Sequence, residues 1–232
     1  MKHSWPAAAL SVALSAAVAF AQADSRRVNI ESHVDAASHG MAIVTNLSSV
    51  PLTAWLIDIV MEPCSPLQPR SVPRAIDTVL VPGSQMIGPS ESRTEALGTS
   101  PCNKDGVATP MKAEFRAAIF ADGATAGDPA SVTMLLDDRR LVLEQYEAIL
   151  SRLRAPAATA MTPEDLRADL RGAAAAAAAN RVVLLSPIVN PTALAMSQFD
   201  AAPGPRANQI ARAIAAVENA RTTLLESKPA LR

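Results

Sequence analysis

The sequence predicts an α+β fold: an antiparallel, immunoglobulin-like β-sandwich over residues 24–125, then a helical region over residues 126–232. Pro, Ser, Thr and β-branched residues dominate the first part, where apolar and polar residues alternate between turn signals. Beyond about residue 125, Ala, Leu, Arg and Glu recur at the three- and four-residue spacing of amphipathic helices. The 232 residues, of which 49% are hydrophobic, are enough to form a substantial core.

The composition argues against nucleic acid as a partner. The formal net charge is -1, and no basic cluster stands out along the chain. Aromatic residues make up only 3% of the sequence, too few for an evident platform on which bases or sugars could stack. We therefore expect a protein or envelope partner and no nucleic acid.

The first 23 residues have the pattern of a secretory signal peptide. Lys2 and His3 form a short positive start, and Ala7 to Phe20 is an apolar stretch too short to span a bilayer comfortably. Ala21 to Ala23 is a small-x-small cleavage pattern, so we predict cleavage before Asp24 and a periplasmic or secreted protein with no membrane span in the mature chain. The alternative is a leader retained as an uncleaved anchor.

The N-terminal part is predicted to form a series of short strands. Val28, Ile30 and Val34 alternate with polar residues, the period-two pattern of a half-buried strand. The predicted strands cover Arg27–Val34, Met41–Asn46, Leu52–Val60, Ala75–Val81, Glu91–Leu97 and Met111–Ala121.

The segment Leu52–Val60 is the strongest predicted strand because both of its faces are apolar. Thr53, Trp55, Ile57 and Ile59 are assigned to one face, and Leu52, Ala54, Leu56 and Val60 to the other. Such a strand is normally covered on both sides. We predict that a second sheet covers one face, that the C-terminal helices cover the other, and that Trp55 lies in the core. Asp58 either marks the exit of the strand from the core or accepts buried hydrogen bonds.

Capping signals predict the helices of the C-terminal region. Asp128 followed by Pro129 predicts a helix that runs to about Leu153, and Thr162-Pro163 predicts a second one that runs to about Leu185. A short helix over about 190–199 and a last one over 206–226 follow. Packing within the chain is the first interpretation of the apolar stripes on helices 129–153 and 206–226. The alternative is a homo-oligomer built through those stripes.

Cys64 and Cys102 are predicted to form a disulfide. They are the only two cysteines, both lie in Pro-rich segments, and the predicted compartment is oxidising. In the chain-entropy model such a bridge stabilises the fold by about 3–4 kcal/mol. A redox or metal pair is the alternative, but the C-x-x-C spacing is missing.

No catalytic motif is present, so we assign no catalytic, cofactor-binding or metal residue and expect no cofactor. The sequence has no G-x-S-x-G, no phosphate-binding glycine loop and no H-E-x-x-H. Only His33, Asp35 and His39 form a cluster with metal-ligand chemistry. The predicted function is therefore an exported, non-enzymatic structural or binding module. The alternative is a metal-dependent hydrolase that uses these three residues.

Two segments resemble parts of uncharacterised secreted bacterial proteins. Val44 to Trp55 (VTNLSSVPLTAW) resembles the N-x-S-x-x-P-I-T-A strand-turn-strand of exported bacterial immunoglobulin-like domains, and its Asn46-Leu47-Ser48 is also a glycosylation sequon. Phe115 to Leu143 resembles a block in which a strand leads into a helix. The resemblance implies an exported protein with an immunoglobulin-like sandwich and a helical C-terminal region, and it assigns no catalytic residue.

Overall fold

Strands precede helices throughout the chain. The computed structural model describes residues 27–34, 39–61, 70–81, 83–99, 103–104, 107–108, 111–179 and 190–231. The strands are β1 (Val28–Val34), β2 (His39–Asn46), β3 (Leu52–Met61), β4 (Ser71–Asp77), β5 (Ser92–Thr99), β6 (Asn103–Lys104), β7 (Val107–Ala108), β8 (Met111–Phe120) and β9 (Thr125–Gly127). The helices are α1 (Pro129–Leu153), a short 3-10 helix (Pro156–Thr159), α2 (Pro163–Ala177), α3 (Pro191–Asp200) and α4 (Arg206–Glu226).

The strands form two antiparallel sheets and a small hairpin. One sheet has the order β1-β2-β5, the other has the order β4-β3-β8-β9, and β6 pairs with β7. One apolar cluster is shared by the two sheets, with Val44 and Leu97 from the first and Trp55 and Ile57 from the second. The predicted α+β class, with strands first and helices last, is confirmed. We call residues 27–127 the two-sheet region.

β3 is covered on both faces, as predicted. Trp55 and Ile57 face the other sheet, whereas Ala54 and Leu56 face α1. The predicted division of the faces is wrong at the start of the strand. A register shift against β8 between Leu52 and Ala54 places the Leu52 side chain on the same face as Trp55, in the apolar cluster shared by the two sheets. A bulge of this kind adds one residue and reverses the alternation of side chains.

α1 packs against both the two-sheet region and the other helices. Its Asp128 N-cap accepts a hydrogen bond from the Ser131 N–H, and Pro129 follows, as predicted. Its 25 residues span about 37 Å at the rise of an α-helix. Leu135 in its first half packs on the second sheet. Its second half, with Ile149 and Leu153, forms the core of the helical region together with α2, α3 and α4. Among the described helices, α1 therefore makes the predicted helical cover of β3.

Two predicted elements have different limits in the structure. β4 spans Ser71–Asp77 rather than Ala75–Val81, because the Asp77 carboxylate accepts from the Val79 N–H in a tight turn that ends the strand. α2 ends at Ala177 rather than near Leu185. Seven consecutive alanines occupy positions 173–179, and Ala174 is the last of them that is buried in the helical core. The next two are exposed, and high helix propensity alone does not extend a helix that buries nothing further.

The predicted limits of the other helices hold. α3 begins after Asn190, whose side chain accepts from the Ala193 N–H, and α4 covers 206–226. Among the described residues, no helix combines the length and the apolar character needed to cross a bilayer.

Candidate functional site

The two histidines proposed as metal ligands lie at the end of the β1–β2 pair where residues 35–38 connect the two strands. Val34 pairs with Gly40, and His33 pairs with Met41. His33 and His39 are therefore diagonal neighbours on one face of the hairpin, and both are exposed. Asp35 lies outside the described residues. In the part of the chain that the structure describes, no three His, Cys, Asp or Glu side chains form a metal-binding group. The metal site stays a prediction.

Cys64 and Cys102 also lie outside the described residues, so their disulfide stays a prediction. The strands before them are described: β3 ends at Met61 and β5 at Thr99, each three residues before a cysteine. β2 leads by a short turn into β3 and pairs antiparallel with β5, so β3 and β5 end at the same end of the two-sheet region. Three residues span up to about 10 Å, comparable with the spacing of packed sheets.

A buried ion pair joins the two-sheet region to α1. The Arg139 Nε donates to Asp77 Oδ2 at 2.5 Å, and Nη2 donates to Asp77 Oδ1 at 3.2 Å and to the Thr53 hydroxyl at 3.3 Å. Nη1 donates to the Lys228 carbonyl at 3.0 Å. We call these four residues the Arg139 cluster. It connects β3, the end of β4, α1 and the segment that follows α4.

The charges of Arg139 and Asp77 are almost completely removed from solvent, whereas Lys228 contributes only its backbone carbonyl. The side chains of Arg139 and Asp77 are 0% and 1% exposed. Burial raises the pKa of the Asp77 carboxyl, and the neighbouring Arg139 charge and the hydrogen bonds that the carboxyl accepts oppose this rise. Each guanidinium nitrogen donates at least one hydrogen bond within the protein. The arrangement is suited to holding chain segments together.

A second buried cluster is neutral and organises the end of the two-sheet region at which β3 begins. Asn46 is completely buried, and its Nδ2 donates to the carbonyls of Val50, Ile87 and Gly88 at 2.8, 3.0 and 3.2 Å. Its Oδ1 accepts from the N–H and hydroxyl groups of Ser48. We call this the Asn46 cluster. Since the amide is buried and bonded, the sequon Asn46-Leu47-Ser48 is not accessible for glycosylation in the folded chain.

A polar recess opens beside the first residues of β5. The Arg93 guanidinium lies over the Trp55 ring, 5.6 Å from its centroid, and Arg93 Nε is 2.8 Å from Glu95 Oε1. Burial raises the pKa of the Glu95 carboxyl, while the charges of Arg93 and Arg74 oppose the rise. The adjoining cavity has a volume of about 380 Å³ and is lined by Gly83–Ile87 and Glu91–Arg93. We call it the Arg93 recess.

The Arg93 recess has chemistry suited to binding. Arg93 Nη1 also donates to the Ser84 hydroxyl and the Gln85 carbonyl, both at 3.3 Å, and its side chain keeps 37% of its surface exposed. The recess therefore contains a partly exposed cation, the Arg93 guanidinium, which hydrogen bonds hold in place. The half-exposed Met86 lies on the rim of the recess. Trp55 lies beneath, as the core residue that was predicted, and its indole N–H has no hydrogen-bond partner among the described residues.

A larger groove lies between α1 and α4 and has a volume of about 740 Å³. Two ion pairs cross it: Arg154 with Glu218, and Arg221 with Glu147 at 3.1 Å. A charged ligand would have to displace one of these internal partners. The groove is therefore a weaker candidate than the Arg93 recess.

Sequence reasoning missed the most buried polar pair, although a signal for Arg139 was present. The apolar stripe of α1 runs from Leu135 to Val142, and Arg139 occupies the position between them at helical spacing. A charged residue within such a stripe indicates a buried partner. Asp58 marks the exit of one face of β3 from the core, because its side chain is 21% exposed and lies 3.6 Å from Arg116, whereas Ile59 on the other face stays buried.

The comparisons with known proteins give no relative. No family model matches the sequence, and no curated protein or solved structure matches it either. The function is therefore argued from the chain's own residues.

Proposed function

We propose that the protein is an exported, non-enzymatic structural or binding module that acts on a protein or envelope partner. The main observation behind the proposal is the use of the buried polar groups. Arg139, Asp77, Thr53 and Asn46 are buried, and each hydrogen-bonds within the Arg139 cluster or the Asn46 cluster. Side chains engaged in this way hold a shape rather than act on a substrate.

The two-sheet region is proposed to be an immunoglobulin-like sandwich. In the strand orders β1-β2-β5 and β4-β3-β8-β9, the chain passes from one sheet to the other between β2 and β3 and again between β4 and β5, as in Greek-key sandwiches. The loops 47–51, 78–91 and 121–124 lie at the end where β3 begins, and loops at one end of such sandwiches often bind ligands. The Arg93 recess lies between the second of these loops and the first residues of β5 and is the proposed binding surface.

Co-purification from the native envelope tests the binding role. An affinity-tagged wild-type chain is compared with Arg93→Ala and with Arg171→Ala, which removes an exposed arginine of α2 as the matched control. We expect a partner that is recovered with the wild type and the control, and lost with Arg93→Ala. Equal recovery with all three chains would place binding elsewhere.

Export is tested on the N-terminus of the protein recovered from the cell envelope or the medium. We expect it to begin at Asp24. An intact N-terminus in the membrane fraction would indicate the retained anchor instead.

The placement of His33 and His39 on one exposed face keeps a second candidate, the metal-dependent hydrolase that uses them with Asp35. Zinc titration by calorimetry separates the two functions. Stoichiometric binding that is lost in His39→Ala would favour the hydrolase, whereas an absence of binding is expected for the structural or binding module.

A further inference from the structure

β5 has an outer edge that nothing in the described part of the chain covers. β5 ends the order β1-β2-β5 and pairs with β2 alone, and no described group hydrogen-bonds to its other side. The other outer strands differ. β4 contains Pro73, β9 has three residues, and on β1 the Ser32 hydroxyl accepts from the Ala113 N–H of β8. Proline and short length are common devices against edge pairing.

The backbone of β5 alternates between β2 and the open edge. The Asn46 N–H donates to the Glu91 carbonyl, and the register continues as Val44 with Arg93 and Ala42 with Glu95. In an antiparallel pair, hydrogen-bonded positions alternate along the strand. Arg93 and Glu95 therefore turn their backbone groups toward β2, and Ser92, Thr94 and Ala96 turn theirs outward.

The side chains of β5 are compatible with pairing between the β5 strands of two copies of the chain. Ser92, Thr94 and Ala96 are exposed, small and uncharged, so the edge has no Lys or Pro to discourage a neighbour. Arg93 and Glu95 flank Thr94 with opposite charges. In an antiparallel pair centred on Thr94, Arg93 of each copy lies opposite Glu95 of the other, at a non-hydrogen-bonded position where side chains are closest.

We propose that β5 pairs with β5 of a second copy of this chain, antiparallel and centred on Thr94. The two three-stranded sheets then join into one continuous sheet of six strands. Thr94 faces its own counterpart across the two-fold axis, and Arg93 and Glu95, which already pair within each chain at 2.8 Å, place opposite rather than like charges across the axis. This interface shares Ser92 and Arg93 with the Arg93 recess and is separate from the helical stripes of α1 and α4.

Disulfide trapping tests the register. At the two-fold axis the two Thr94 Cα atoms would be about 5.5 Å apart, within the range that a disulfide bridges. We expect Thr94→Cys to give a covalent dimer under mild oxidation, with the linked peptides identified by mass spectrometry. Ser92→Cys is the matched control, because Ser92 would lie opposite Ala96 and far from its own counterpart. Equal cross-linking of both variants, or none with Thr94→Cys, would overturn the proposed pairing.

Sedimentation velocity over a wide concentration range tests the dimer without a new thiol. We expect a monomer–dimer equilibrium for the wild type. The dimer dissociation constant should rise about tenfold or more in Thr94→Pro, because proline removes an outward N–H. Thr94→Val retains that N–H and should leave the equilibrium nearly unchanged. Ala96→Lys places a charge on the edge and gives the same test should Thr94→Pro fail to fold, as judged by circular dichroism. A wild-type monomer at every concentration, or a dimer indifferent to Thr94→Pro and Ala96→Lys, would overturn the proposal.

Discussion

The Arg139 cluster and the Asn46 cluster both bury polar side chains, but the two clusters use them differently. Asn46 is neutral and ties together two loops of the two-sheet region, from residues 46–50 and 87–91. Arg139 is charged and joins β3, β4, α1 and the segment after α4, across sequence separations of 62 to 89 residues. The difference shows that a local amide is sufficient to shape one end of the two sheets. The Arg139–Asp77 pair instead joins α1 and the segment after α4 to the two sheets with charges that are costly to desolvate.

The largest expected effect comes from removing one charge of the Arg139 cluster. Arg139→Met leaves the Asp77 carboxylate buried without its counter-charge, so we expect a loss of about 3–5 kcal/mol in the free energy of unfolding. Denaturant unfolding, followed by circular dichroism, measures it. The comparison predicts that this variant also loosens the contact between α1 and the two-sheet region, seen as faster amide exchange in β9 and the first half of α1.

The double variant Asp77→Asn with Arg139→Met is the control for that prediction. The amide introduced by Asp77→Asn is neutral and could still accept from the Val79 N–H, so no uncompensated charge is buried. We expect the double variant to be more stable than Arg139→Met alone. A double variant that is the less stable of the two would mean that the cluster contributes through packing and not through charge.

The second prediction concerns the end of the two-sheet region opposite the Asn46 cluster. If Cys64 and Cys102 are bridged, reduction should lower the free energy of unfolding by about 3–4 kcal/mol while the folded spectrum is retained. The core of the two sheets persists without the bridge because it is built from Trp55, Ile57 and their neighbours. Thermal melting with and without reductant measures the change, and identical curves would show that no bridge exists.

The third prediction concerns the Asn46 cluster itself. Asn46→Ala removes the donated and accepted bonds, yet the three carbonyls keep other donors: the Leu52 N–H, the Ser48 hydroxyl and the Glu91 N–H. We therefore expect a loss of about 2 kcal/mol, smaller than for Arg139→Met. Asn46→Asp should cost more than Asn46→Ala, because its carboxylate would face three carbonyl oxygens. An Asn46→Asp variant as stable as Asn46→Ala would contradict the assigned amide orientation.

The order of the elements could be predicted from the sequence because local signals determine it. Alternating residues in β1, the doubly apolar β3 and the Asp128-Pro129 cap each act within a few residues. The limits of β4 and α2 could not be predicted, since they depend on the turn made by Asp77 and on where the helical core ends at Ala174. Such limits are set by tertiary contacts, which local propensity does not contain.

The candidate site was less predictable than the fold for the same reason. Arg93 and Glu95 lie on an ordinary alternating strand and pair with each other, and only the packing of β5 over Trp55 places this pair beside a recess. The histidine cluster was visible because its members are close in the sequence. Residues that meet across two sheets leave no such trace in a single sequence.

The smallest expected effect is a pH dependence of the folding stability. Buried carboxyls with a raised pKa cause it, and exposed carboxyls do not. Burial raises the pKa of Glu95 above its ordinary value of 4.5, so the folded chain binds the proton more tightly than the unfolded chain. As the pH rises from the ordinary value through the raised one, the unfolded state ionises first and the folded state loses stability relative to it. Asp77 contributes with the same sign.

Glu95→Gln removes the contribution of Glu95, so the free energy of unfolding of this variant, relative to wild type, should increase as the pH rises from about 4 to 7. Denaturant unfolding at a series of pH values measures the trend. Glu114→Gln, which removes an exposed carboxylate of β8, is the matched control. A relative stability of Glu95→Gln that decreases over this range would mean that the Arg93 and Arg74 charges outweigh burial. The buried carboxyl beside the Arg93 recess would then resemble an ordinary surface ion pair.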